Sequence, residues 1–229
     1  MAFSEALNED LPEGFAWIAG HQTAGRGQRG NTWNAEPNQN LTLSILLRPD
    51  HQLVDKQFYL SKAIANGILA GLVDWSRATQ GESFNFEIKW PNDIYLDGVK
   101  MGGILIENNF QAGQWSFSII GIGLNINQKH FENIRGTSLR SYLQLNQEIP
   151  LTEIYTYLSV GIEESYTLFT SEQFGKIDEI YHERLFRRSK WALYEAENVQ
   201  FEGKIRGVNE QGLLEIEKEF TVESYDLKE

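Results

Sequence analysis

Cysteine is absent from the 229 residues. That excludes a disulfide framework, thiolate catalysis and any Cys-based metal site, and it fits a reducing compartment. Positive charge is scarce: 20 Lys and Arg stand against 32 Asp and Glu, for a net charge of -12. Sequence-independent nucleic-acid binding depends on neutralising phosphates, so so acidic a chain argues against it. No helix-turn-helix pattern stands in the sequence, and no nucleic-acid partner is expected. The start, Met1 to Asp10, has neither a basic region nor an apolar run, so no signal peptide is read there. No apolar stretch is long enough to span a bilayer. A cytoplasmic protein with no membrane partner is expected. His21, His51, His130 and His182 are scattered without metal-ligand spacing, and no protein metal site is expected from them.

The hydrophobic fraction of 41% is ordinary and can build a real core. The length suits one full-sized domain and a small appendage. Residues 2–9 read as a short helix closed by Pro12 and Gly14, and Phe15–Gly20 as a strand. A polar, glycine-rich loop from His21 to Asn40 leads to an apolar strand, Leu41–Leu47. From Asp55 to Arg77 the stripe Leu60, Ile64, Ile68, Leu72 recurs at i+4 and predicts a helix. Phe84–Trp90 reads as a strand ended by Pro91. Asp97-Gly98 between Ile94–Leu96 and Val99–Met101 is a strong hairpin signal. Gly103–Glu107 and Trp115–Ile126 read as strands joined through a turn at Gln111-Ala112-Gly113. Ile154, Leu158 and Ile162 mark another helix, and Ser171 reads as the N-cap of the next. Composition shifts near Ser189. Beyond a boundary at about residues 186–190, the runs Trp191–Tyr194, Val199–Val208, Leu213–Glu217 and Phe220–Tyr225 predict a small antiparallel barrel.

Gly25-Arg26-Gly27-Gln28-Arg29-Gly30 matches the pattern G-x-G-x-x-G, but a dinucleotide site needs its last glycine to open a helix. Here Asn31-Thr32-Trp33-Asn34-Ala35-Glu36-Pro37 follows, with no helical period and a helix breaker, which rejects that reading. What is left is a loop free of acidic residues from His21 to Ala35, with glycines that let backbone approach a ligand and arginines that can grip an anion. On the loop alone, a solvated surface segment explains the pattern as well. Lys89-Trp90-Pro91-Asn92-Asp93 ends a strand, where a sheet presents ligand residues; alone, it reads as a turn. Lys100-Met101-Gly102-Gly103-Ile104-Leu105-Ile106-Glu107 follows across the hairpin and carries a lysine back to the same end.

Together these segments resemble the biotin–protein ligase family. Gln22 to Trp33 is similar to its glycine- and arginine-rich adenylate loop, and Lys89 to Tyr95 to its Lys-Trp-Pro-Asn-Asp motif. Lys100 to Glu107, Gly121-Ile122-Gly123-Leu124-Asn125-Ile126-Asn127 and Thr137-Ser138-Leu139 match its later motifs in order and spacing. The resemblance covers roughly residues 15–140; beyond residue 188 it is one of size and pattern only.

The resemblance implies an α/β (α+β) catalytic domain, residues 1–187, on a mixed sheet of the class II aminoacyl-tRNA-synthetase-like type, and an SH3-like β-barrel, residues 188–229. It implies ATP-dependent formation of biotinyl-5′-AMP, with Mg2+, and transfer of biotin to a lysine of a biotin carboxyl carrier protein. Lys100, Arg26 and Asp93 would be catalytic. Gln22, Gly25, Arg26, Gly27, Gln28, Lys100, Gly103 and Gly123 would hold biotin; Arg29, Trp33, Asn92, Asp93 and Asn125 would hold ATP or the adenylate. Gln28 and Asn31 stand where the family often has arginine, which leaves more of the charge to Arg26, Arg29 and Lys100.

A lipoate–protein ligase shares this logic, but its arginine- and serine-rich glycine motif with a downstream histidine is missing. A biotin-sensing repressor needs a DNA-binding domain before the first strand. A non-catalytic binding module is disfavoured by Lys100, Asp93 and Arg26. A homodimer is left open. Met1-Ala2-Phe3 offers no N-cap side chain to the first helix, and the family's upstream Ser-Thr-Asn tripeptide has no counterpart. An additional upstream segment is therefore expected.

Overall fold

The computed structural model describes residues 1–131 and 136–226, apart from the side chain of Arg29. Its main sheet grows from hairpins. Asp97 and Gly98 take φ of 47° and 74°, the left-handed pair that turns β4 (Asp93–Leu96) tightly into β5 (Val99–Gln111). Ala112 and Gly113, at φ 50° and 80°, do the same between β5 and β6 (Gln114–Asn125). With β3 (Phe86–Lys89), β2 (Asn40–Leu47) and β1 (Ala16–Ile18), the order is β1-β2-β6-β5-β4-β3. The sequence implied a mixed sheet. All ladders described are antiparallel, and in β4–β5 and β5–β6 this follows from two-residue hairpins, which can only reverse the chain. Parallel pairing is confined to single bridges such as Ile88↔Leu185. Val99–Met101 and Gly103–Glu107, read as separate pieces, form one strand. Gly102 does not break it: a Cβ there would lie 2.5 Å from the Gly123 carbonyl oxygen, so glycine serves close packing.

One face of this sheet is covered by α2 (Gln57–Gln80) and α4 (Leu151–Thr170). Leu60, Ile64, Ile68 and Leu72 are buried there with Ile120, Ile122 and Leu124. The two helices approach backbone to backbone. A Cβ on Gly161 would stand 2.4 Å from the carbonyl oxygen of Gly67, and one on Gly71 would stand 2.5 Å from that of Tyr157. Gly161→Ala is expected to force the helices apart at a cost of about 1–3 kcal/mol. Thermal unfolding of the variant checks this, and an unchanged transition would refute so close a contact. Ser171 is a correction. It ends α4, its N–H donating to Thr167 and Phe169, and α5 (Phe174–Glu183) starts after Gln173. The apolar stripe of α4 runs on to buried Phe169, so the helix continues up to the serine, which closes it instead of opening the next one.

The C-terminal strands β7 (Trp191–Ala196), β8 (Val199–Val208), β9 (Leu214–Glu217) and β10 (Val222–Tyr225) form a separate four-stranded antiparallel meander. Its residues Ile205, Val208, Leu214 and Ile216 join the same apolar core as the large sheet. Lys62 on α2 binds the two units together. Fully buried, it donates to Asp178 Oδ1 at 2.5 Å, to Val208 O at 2.7 Å and to Asn209 O at 3.3 Å, which uses all three of its protons. Tyr59, Phe58 and Tyr181 surround the ammonium with their rings at 5.1, 5.5 and 5.6 Å.

His182 on α5 completes the contact: its Nε2 accepts the Val208 N–H at 2.9 Å, which requires a neutral ring. Burial, and then the charge of Lys62, lower its pKa below the ordinary value. A lowered folded value means that the unfolded chain binds the proton first. This part of the stability is therefore complete above about pH 6.5 and is lost as pH falls from there through the folded value. Melting curves from pH 7.5 downward are expected to show the decline, with a shallower slope in His182→Gln; equal slopes would remove His182 from the account.

Candidate active site

The other face of the main sheet is hollowed by small residues. Across the ladders, Thr42 and Ser44 of β2 lie opposite Gly123 and Gly121 of β6, which lie opposite Gly103 and Leu105 of β5. Strand alternation points all six positions to one face, while Leu41, Leu43, Ile120 and Ile122 point to the core. The result is a cavity of about 740 Å³. Its floor includes Gly103, Gly121 and Gly123, and one wall is Met1, Ala2 and Phe3 at the start of α1 (Ala2–Asn8). Trp17 of β1 adjoins this wall and donates its indole N–H to Glu5 of α1 at 2.7 Å.

The glycine-rich loop is a closed hairpin over this floor. Trp33 N donates to Gly25 O at 3.0 Å, Gly27 N to Asn31 O at 2.6 Å, and Gln28–Gly30 make a 3₁₀ turn at the tip. Gly25 fits because a Cβ there would lie 2.2 Å from the Trp33 carbonyl oxygen; Gly30 turns the chain at φ 81°. The indole of Trp33 lies directly on Gly123, where a Cβ would come within 2.5 Å of the ring. Two polar atoms are buried here without a hydrogen-bond partner, Trp33 Nε1 and Gln28 Oε1. Buried polar groups are normally paired, so both are suited to a ligand's partner atoms.

At one end of the cavity Lys100 Nζ donates to Asp93 Oδ1 at 2.6 Å. Three contacts fix this pair. Asp93 pairs in register with Gly103. Asn92 Nδ2 donates to Ile104 O at 2.7 Å. Thr137 N donates to Lys100 O at 2.9 Å, so the Thr-Ser-Leu turn holds the backbone of the lysine. The cis bond Trp90-Pro91 makes the corner before Asn92, and the Trp90 indole donates to Gly212 O at 2.9 Å, in the turn before β9.

Gln22, Arg26, Gly27, Gln28, Trp33, Asn92, Asp93, Lys100, Gly103 and Gly123 all line the cavity. Gly25 and Asn125 do not. Gly25 lines a smaller, adjoining cavity, and Asn125 is buried at the end of β6 opposite Asn40. The side chain of Arg29 lies outside the described residues. Arg26 and Lys100 are not brought together: Arg26 Nη2 is paired with Glu107 Oε2 at 2.9 Å, further along β5.

A model of the biotin/lipoate A/B protein ligase family matches residues 2–125. The chain belongs to this family. It is 26% identical over 216 residues to the bifunctional ligase/repressor BirA of Bacillus subtilis, covering 93% of this chain and 64% of that protein. It thus spans about 64% of that relative's length. It is 34% identical over 116 residues to the biotin–[acetyl-CoA-carboxylase] ligase of Mycobacterium tuberculosis, covering 51% of this chain and 41% of that one. Among solved structures, the biotin protein ligase of Aquifex aeolicus in complex with biotin and ATP shares the fold, with a TM-score of 0.76 and 24% identity over 96% of this chain and 90% of that one.

Within this family fold, sequence reasoning missed Glu107, Thr42, Ser44 and the α1 wall. A signal existed for two of them: Asn40, Thr42 and Ser44 alternate with leucines in β2, the period of a strand with one wet face. Glu107 ends an apolar run and carries no such mark; only the fold sets it against Arg26. Among the described residues, no helix is long and apolar enough to cross a membrane.

Proposed function

We propose that this protein activates biotin with ATP as biotinyl-5′-AMP and transfers the biotinyl group to a lysine of a biotin carboxyl carrier protein. The observation that carries the reading is the Lys100–Asp93 pair at the end of a glycine-floored cavity, roofed by the arginine-bearing hairpin. The family description spans biotin and lipoate; the relatives' names favour biotin.

In the first step a carboxylate oxygen of biotin attacks the α-phosphorus of ATP, the bond to the bridging oxygen breaks, and pyrophosphate leaves. Both reactants are anions, so fixed cations lower the barrier. Lys100, held by Asp93, is placed for that, and Arg26 is the second cation of the wall. Gln22, Gly27 and Gln28 offer neutral hydrogen-bonding groups to biotin, while Trp33 and Asn92 flank the nucleotide. Arg29, beside them in the loop, would add charge at the phosphates, and Asn125 would act only by shaping the end of β6. In the second step the acceptor amine attacks the acyl carbon, the acyl–phosphate bond breaks, and AMP leaves with Lys100 beside its phosphate. Asp93 orients the amine and takes up its proton. Among the described residues no cluster of three or more His, Asp or Glu could hold a metal ion. Mg2+ would enter with the nucleotide, held mainly by phosphate oxygens.

The test is intact-mass analysis of a carrier protein incubated with the enzyme, biotin and ATP. One biotinyl group is expected on the acceptor, and none when its target lysine is arginine. An unmodified acceptor in the presence of consumed ATP would refute transfer.

A further inference from the structure

We propose that Glu107 is a positioning residue for Arg26: it holds the guanidinium away from the reacting centre while the cavity is empty and yields it to the anionic ligand. This rests on the function proposed above. Glu107 points to the cavity face of β5 with Gly103 and Leu105, and it lines the main cavity and the smaller one adjoining it. It therefore places a carboxylate at the rim of a site meant for anions. Its charge is met by Arg26 Nη2 at 2.9 Å, a pair whose side chains are 65% and 29% exposed.

Distance along the strand makes the pairing consequential. Asp93, the partner of Lys100, pairs with Gly103, and Glu107 stands four residues further, about 13 Å along β5. An Arg26 held by Glu107 is not beside Lys100. For both cations to flank one phosphorus, Arg26 must exchange the carboxylate for the ligand. Pairs this exposed are weak and are readily exchanged. The hairpin that carries Arg26 is closed by its own backbone bonds, among them the Arg26↔Thr32 bridge. The exchange thus requires the side chain to swing and the hairpin to settle inward, not the loop to refold.

The experiment compares wild type, Glu107→Gln and Glu107→Asp. Hydrogen exchange of the backbone amides in residues 22–33, measured without ligand, is expected to run about two- to fivefold faster in Glu107→Gln, the range that loss of a weak exposed pair allows. Exchange elsewhere should stay unchanged, and Glu107→Asp should restore protection. In turnover, Glu107→Gln should lower KM for ATP by a similar factor at unchanged kcat, because Arg26 no longer has to leave a competitor. Unchanged loop exchange in Glu107→Gln would overturn the latch, and so would a raised KM, which means that the pair persists in the complex. If wild type turns over no ATP, the functional reading fails, and the ligand-free exchange still decides whether Glu107 holds the loop.

Discussion

Lys100→Ala is expected to leave a folded protein that forms adenylate about 10²- to 10³-fold more slowly, the loss found when one preorganised charge or donor is removed from a transition state. Lys100 lines the cavity and is about a third exposed, so its removal opens no core void. Its loss frees Asp93, which then faces the approaching carboxylate and phosphates as an uncompensated negative charge. Arg26, paired with Glu107 in the empty cavity, does not neutralise Asp93 in its place. Lys100→Arg should recover only part of the rate, because the planar guanidinium does not reproduce a compact ammonium against Asp93 Oδ1. Single-turnover formation of the adenylate, with a melting curve on the same sample, separates chemistry from folding. A wild-type rate in Lys100→Ala would remove the lysine from the reaction.

Removing residues 190–229 is expected to abolish the main unfolding transition. The composition break near Ser189 implied a separable domain, but the packing favours the opposite outcome. Truncation strips Ile205, Val208, Leu214 and Ile216 from the shared core, at about 1.5–3 kcal/mol for each fully buried apolar side chain. It also takes away Val208 O and Asn209 O, two of the three acceptors of buried Lys62. Asp178 remains, and each buried donor left without an acceptor costs about 1–3 kcal/mol. The sum reaches the whole stability of a typical domain. The Trp90 indole loses Gly212 O as well, so the corner before Asn92 and Asp93 loosens with the core. Calorimetry of the truncated chain checks this; a transition like that of the whole protein would establish two independent domains.

The local parts of the site were legible because their physics is local. Asp97-Gly98 must turn, Gly121 and Gly123 leave a strand face empty, and Lys100 is thereby brought to Asp93. What could not be read depends on partners far apart in the chain. Lys62 sits in an apolar helix, and nothing near it announces Asp178 or the Val208 carbonyl. Arg26 and Lys100 were both expected to serve the reacting carboxylate, and nothing near Arg26 announces its pairing with Glu107, 81 residues away. Gly25 and Asn125 belong to the motifs without reaching the cavity: one lets the hairpin close on Trp33, and the other is buried opposite Asn40. Motif membership thus marked the segment, and the strand register decided which of its side chains face the ligand.

The most direct test of the central proposal is ATP–pyrophosphate exchange by the purified protein, with biotin, with lipoate and with neither. Exchange that appears with biotin, stays at background with lipoate and is lost in Lys100→Ala is the expected result. Exchange driven by lipoate, or none with either acid, would contradict it.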